Sequence, residues 1–191
     1  SFKVLFISSE MPKTQIEMRL DVLLGNMMGY EFSHKALRRG DPIDEEKYKE
    51  FLSKANFKRL LACDSIDKNS ITLPGIISLV RKHKPDFVVL DAVYLVLPDN
   101  TGRNRATWER MFNIFEQLKP LCTSTGIPFF VSTQTNRKSN DKLSVFRPPK
   151  LSDVAFGYSI VQSSDIVLTM CLVENEDKKR LFQLQKLRDD E

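Results

Sequence analysis

A chain of 191 residues, 41% hydrophobic and 28% charged, suits one globular domain with a sizeable core. Its net charge of +4, from 29 Lys and Arg against 25 Asp and Glu, permits a polyanionic partner without arguing for one. No apolar run approaches the ~20 residues of a membrane span and no charged-then-apolar leader opens the chain, so a cytoplasmic protein with no membrane partner is expected.

Cys63, Cys122 and Cys171 lie far apart without a CxxC pair, and His34 and His83 complete a poor set of soft metal ligands. Reduced, mostly buried thiols are expected rather than a disulfide framework or zinc site. In chain order, residues 2–8 (FKVLFIS) read as a buried strand, its apolar residues running on rather than alternating, followed by a helix over residues 13–25. Residues 33–39 form a short helix stopped by Gly40. A longer helix over residues 44–62 sets Asp44, Glu45 and Glu46 against its positive N-terminal dipole.

Thr72 can cap a helix that starts beside Pro74 and runs to His83, where Pro85 ends it. Residues 87–90 are a second buried strand. Between Ala106 and Thr125, Trp108, Met111, Phe112, Phe115, Leu118 and Cys122 recur at helical spacing as a core face, and Gly126 supplies the stop. Residues 127–132, 166–170 and 181–184 are three further strands. Strands buried on both faces with helices between several of them predict an α/β domain with a mostly parallel central sheet flanked by helices. One long loop-like stretch, residues 135–152, is rich in Lys, Arg, Asn, Ser and Pro, and a loop of that length in a compact domain is usually functional or disordered.

Ligands of open α/β sheets bind beyond the C-terminal ends of the strands. Three polar groups follow apolar runs there: Glu10, Asp91 and Gln134. Singly, each also suits a solvated or helix-capping residue; three at one edge are harder to dismiss. An acid that ends a buried strand is the usual support for Mg²⁺ and nucleotide phosphates.

Five segments then carry a specific resemblance. VLFISSEMPKTQIEMRL resembles the segment of DnaB-type hexameric replicative helicases in which a strand ends in Ser-x-Glu-Met-Pro and opens a helix bearing Met-Arg. FVVLDAVYLV resembles the Walker B strand of that family, and IPFFVSTQTNR its next motif, a strand ending in Gln followed by Asn-Arg. FRPPKLSDVAFGYSIVQSSDIVLTM resembles a fourth motif with Arg-Pro, Leu-Ser-Asp and Ile-x-Gln, and LFQLQKLR the Lys-x-Arg pair. Each segment is weak alone, but their order and spacing agree across essentially the whole chain.

The resemblance implies a RecA-like three-layer ATPase core over residues 1–191, ATP and Mg²⁺ as cofactors, single-stranded DNA as partner, and a homo-oligomer, a hexamer in the full-length protein, served by a primase or helicase loader. It implies that Glu10 activates the attacking water, Asp91 holds Mg²⁺ through a water, and Gln134 senses the γ-phosphate. Lys186 and Arg188 would reach a neighbouring subunit's nucleotide, Arg188 as an arginine finger. Read from the residues alone, these two also suit a solvated strand edge, because Asp189, Asp190 and Glu191 adjoin them. DNA contacts fall on Arg103, Arg105, Arg137, Lys138, Lys142 and Arg147, with Phe156 and Tyr158 either stacking on bases or packing.

The pattern also breaks. No GxxxxGK[ST] phosphate loop occurs in these residues, so this polypeptide by itself is expected to bind ATP poorly, and a domain truncated at both ends is expected. Ala92 follows Asp91 where the family usually has Tyr, and Ala155 and Phe156 stand where it carries Arg-Glu, a divergence that suits a phage or plasmid protein. Two alternatives stay open: a RecA- or KaiC-like ATPase, and a non-catalytic RecA-like scaffold that binds DNA or a partner.

Overall fold

The computed structural model describes residues 2–55, 60–64, 71–98, 106–136, 146–155 and 159–188. Its centre is a four-stranded sheet in the order β2-β1-β3-β4, made of β1 (Val4–Ser8), β2 (Leu60–Asp64), β3 (Phe87–Asp91) and β4 (Phe129–Val131). Every pairing in it is parallel. Parallel neighbours need crossovers, and helices supply them. α1 (Lys13–Met27), α2 (His34–Arg39) and α3 (Glu45–Lys54) lead from β1 to β2, α4 (Leu73–His83) leads to β3, and α5 (Thr107–Thr125) leads to β4. Leu5, Ile7, Val88 and Leu90 are fully buried in the sheet, covered by Leu73, Ile76 and Val80 of α4 and by Met111, Ile114, Phe115 and Leu118 of α5.

The expected cap residues act as such. Ser33 Oγ accepts from Ala36 N at 3.3 Å, Asp44 Oδ1 from Lys47 N at 2.9 Å and Thr72 Oγ1 from Gly75 N at 3.3 Å. Gly40 and Gly126 both end helices at φ +68°, the left-handed conformation that glycine adopts without strain.

Four expectations need correction. The helix foreseen over residues 44–62 stops at Lys54, and Leu60–Asp64 is a strand instead. Leu-Leu-Ala favours a helix intrinsically, but pairing with β1 from Val4↔Leu60 to Ser8↔Asp64 packs Leu61 and Cys63 against the core, and tertiary burial wins. Trp108 and Phe112, placed on the core face of α5, are 62% and 47% exposed, because the buried stripe is centred on Met111, Ile114, Leu118 and Leu121 and these two fall on its flank. Of the three thiols only Cys171 is buried; Cys63 and Cys122 are partly exposed.

The last correction concerns the final strands. β5 (Ile166–Val173) and β6 (Glu176–Leu187) follow the short α6 (Ser159–Ser163) and form a separate antiparallel hairpin. Its two-residue turn is Glu174-Asn175, with Asn175 at φ 61°, a conformation that Asn tolerates well. One hairpin face pairs Ile166 with Leu187, Leu168 with Leu184 and Met170 with Phe182, all exposed.

Candidate active site

Parallel pairing puts the C-terminal ends of β1, β3 and β4 at one edge of the sheet, with Ser8 level with Asp91 and Leu90 level with Val131. The Ser-Ser-Glu-Met-Pro turn is built there by hydroxyl groups. Ser8, fully buried, accepts from Met11 N at 2.9 Å and Glu10 N at 3.3 Å, which turns the chain sharply after the strand. Ser9 N donates to Asp91 O at 2.7 Å, and Ser9 Oγ accepts from Ala92 N at 2.9 Å while donating to Ala92 O at 2.7 Å. The turn is thereby fastened to the end of β3 just before Glu10. Pro12 then opens α1, its carbonyl accepting from Gln15 N and Ile16 N at 2.9 and 3.2 Å.

Similar fastening ties β3 to β4. Ser132 N donates to Leu90 O and Val93 N to Ser132 O, both at 3.1 Å, and Ser132 Oγ donates to Asp91 Oδ1 at 2.5 Å. Asp91 is half-buried, with one carboxylate oxygen oriented by a hydroxyl. Among the described residues no group of three or more His, Cys, Asp or Glu could hold a metal ion. One oriented carboxylate suits Mg²⁺, which keeps several waters and takes few protein ligands.

The side chain that joins this rim is Tyr94, on a single 3₁₀ turn over Val93–Leu95. Its hydroxyl donates to Glu10 Oε1 and accepts from Gln134 Nε2. Glu10 and Gln134, from the ends of two different strands, therefore meet on one phenol beside Asp91. Burial first, then the hydrogen bond to Glu10 and the charges of Glu10 and Asp91, push the phenol up to about 12. Sequence reasoning missed Tyr94. It stands three residues after Asp91 inside the apolar run VYLV and reads as continued strand; a hydroxyl-bearing ring so close behind a strand-ending acid was the available signal.

Gln134 is also tied to the Leu-Ser-Asp segment. Ala155 N donates to Gln134 O at 2.9 Å, Asn136 N donates to Asp153 O at 2.7 Å, and Thr135 bridges antiparallel to Val154. The Asp153 carboxylate accepts from Lys150 N at 2.9 Å, closing the short turn over Leu151–Asp153. The stretch read as one long loop thus has pairing at both described ends.

Lys186 and Arg188 lie apart from this group, on and just after β6. Lys186 Nζ donates to Val161 O at 2.7 Å and Gln162 O at 3.3 Å; Arg188 Nη2 donates to Gln162 O at 2.8 Å and pairs through Nη1 with Asp165 at 3.0 Å. They are not simply solvated: both close the C-terminal carbonyls of α6. Lys119 also binds Asp165, and its hydrogen bond holds that carboxyl below its ordinary value. Arg147 is exposed. Arg103, Arg105, Arg137, Lys138, Lys142, Phe156 and Tyr158 lie outside the described residues.

A family model, the DnaB-like helicase C terminal domain, matches residues 1–189. The chain belongs to the DnaB-like helicase C-terminal domain family. Among solved structures, the "ATPase Domain of G40P" superposes with a TM-score of 0.77 at 20% identity, covering 98% of this chain and 68% of that one. No curated protein matches. The parallel sheet flanked by helices is accordingly a RecA-like α/β fold. In the DnaB-like frame, the Ser-x-Glu-Met-Pro turn, the strand-ending Asp91 and the Gln134 strand end are neighbours because parallel pairing delivers all three to one rim. No helix among the described residues is long and apolar enough to cross a membrane.

Proposed function

We propose that this DnaB-like chain is the motor domain of a ring-shaped helicase that unwinds duplex DNA at replication forks, with ATP hydrolysed between subunits. The observation that carries the reading is the meeting of Glu10 and Gln134 on Tyr94 beside Asp91. Phosphoryl transfer requires mainly positioning and charge neutralisation, and this rim offers a carboxylate for each task. Glu10 orients the attacking water and takes its proton. Asp91, its Oδ1 fixed by Ser132, would hold Mg²⁺, and that cation would supply neutralisation of phosphate charge. Gln134 reads the γ-phosphate, and its backbone carries that state into the segment paired with Val154 and Ala155.

Lys186 and Arg188 serve the neighbouring subunit's nucleotide, Arg188 as a finger, in a hexamer. Single-stranded DNA is contacted by Arg103, Arg105, Arg137, Lys138, Lys142 and Arg147, with Phe156 and Tyr158 stacking on bases or packing; a primase or helicase loader serves the ring. The second reading is a RecA-like scaffold that binds DNA or a partner without turnover. The complete gene product decides between them. ATP-driven strand separation on a forked duplex supports the motor; strand exchange without unwinding points to a recombinase relative, and no hydrolysis at all points to the scaffold.

A further inference from the structure

The phenol between Glu10 and Gln134 has a geometry that does more than fill space. Its oxygen carries one proton and donates it to Glu10 while accepting from the Gln134 amide, so the three groups form one directed chain: amide N–H to phenol oxygen, phenol O–H to carboxylate. Bonds in such chains polarise one another, and removing the donor at one end weakens the next link. The short turn that carries the ring is itself fixed by backbone bonds. Val93, fully buried, donates from its N–H to Ser132 O at 3.1 Å, and Val96 N and Leu95 N close the 3₁₀ turn onto Val93 O and Ala92 O at 3.1 and 3.3 Å.

Glu10 follows β1, Tyr94 follows β3 and Gln134 follows β4, so the link spans three neighbouring strand ends. We infer that Tyr94 is a positioning residue that couples Gln134 to Glu10. When the Gln134 amide turns to another acceptor, Tyr94 loses its donor and its hold on Glu10 changes, so the water-activating carboxylate registers the state of the amide. The inference rests on the motor reading of the same rim. The elevated phenol, protonated far above neutral pH, keeps the O–H donor available throughout the working range.

The test uses the complete gene product and measures steady-state ATP hydrolysis for wild type, Tyr94→Phe, Gln134→Ala and the double variant. Tyr94→Phe removes one oxygen and keeps the ring, and matching thermal melts confirm the fold. The expected result is a kcat lower by about tenfold to hundredfold, the scale at which misplaced catalytic groups act, with KM for ATP changed by less than about twofold. Gln134→Ala made on top of Tyr94→Phe should cost clearly less than Gln134→Ala alone, since the shared link is already cut and only the γ-phosphate contact remains to lose. Wild-type turnover in Tyr94→Phe, or effects of the two substitutions that simply multiply, would overturn the coupling while leaving the motor reading intact. A wild-type protein that hydrolyses no ATP would instead remove the motor reading, and this inference with it.

Discussion

The Ser9 hydroxyl sits across the backbone of Ala92, accepting its N–H at 2.9 Å and donating to its carbonyl at 2.7 Å. Ala92 is buried, so Ser9→Ala leaves an N–H and a carbonyl without these partners. The expected cost is about 1–3 kcal/mol, read from denaturant unfolding, together with a drop in hydrolysis because Glu10 is the next residue. Unchanged stability would mean that the β1–β3 fastening is not what holds the turn.

Gly25, in α1, faces the ring of Phe32. A Cβ there would lie 2.3 Å from Phe32 Cδ2, and the ring is confined by Tyr30, Tyr48 and Phe51. Alanine gains up to about 1 kcal/mol of helix propensity, but forced overpacking costs about 1–3 kcal/mol. Gly25→Ala should therefore lower the melting temperature by a few degrees; a rise would show that Phe32 moves freely.

Asp165 links Lys119 to Arg188, and its carboxyl is depressed chiefly by the Lys119 hydrogen bond. A group whose folded value is depressed contributes stability above its unfolded value and loses it as pH falls through the folded one. The contribution should thus be complete at neutral pH, begin to fall near the ordinary carboxylate value of about 4, and be gone only below the depressed folded value. The pair is more than half exposed on the Asp165 side, so it is worth at most about 1 kcal/mol. Asp165→Asn should flatten the acid limb of a melting-temperature profile between pH 7 and 3; parallel profiles would contradict the pairing.

Arg188 is held within its own chain by Gln162 O and Asp165. As a finger it must act in trans, so Arg188→Ala should reduce ATP hydrolysis in the assembled ring, by a factor on the order of 10³, and leave dispersed subunits unaffected. An equal effect on both would remove the trans role.

The apolar runs at β1 and β3, the cap residues Ser33, Asp44 and Thr72, and the rim positions of Glu10, Asp91 and Gln134 were legible because each has a local signature. β2 was not, because Leu-Leu-Ala has helical propensity and only its partner β1 makes it a strand. The antiparallel course of β6 hung on one left-handed residue, Asn175, in a turn without glycine. Tyr94 was hidden for a different reason: its role comes from side chains 84 and 40 residues away, a relation no periodicity encodes.

Hydrolysis by Glu10→Gln in the complete gene product, measured beside nucleotide binding, bears on the central assignment more directly than any other experiment. The amide keeps the size of the carboxylate but cannot take a proton from water, so turnover should vanish while ATP still binds with near-normal affinity. Turnover at the wild-type rate would show that the carboxylate bound to Tyr94 is not the base, and that the rim of this sheet does not perform the chemistry given to it here.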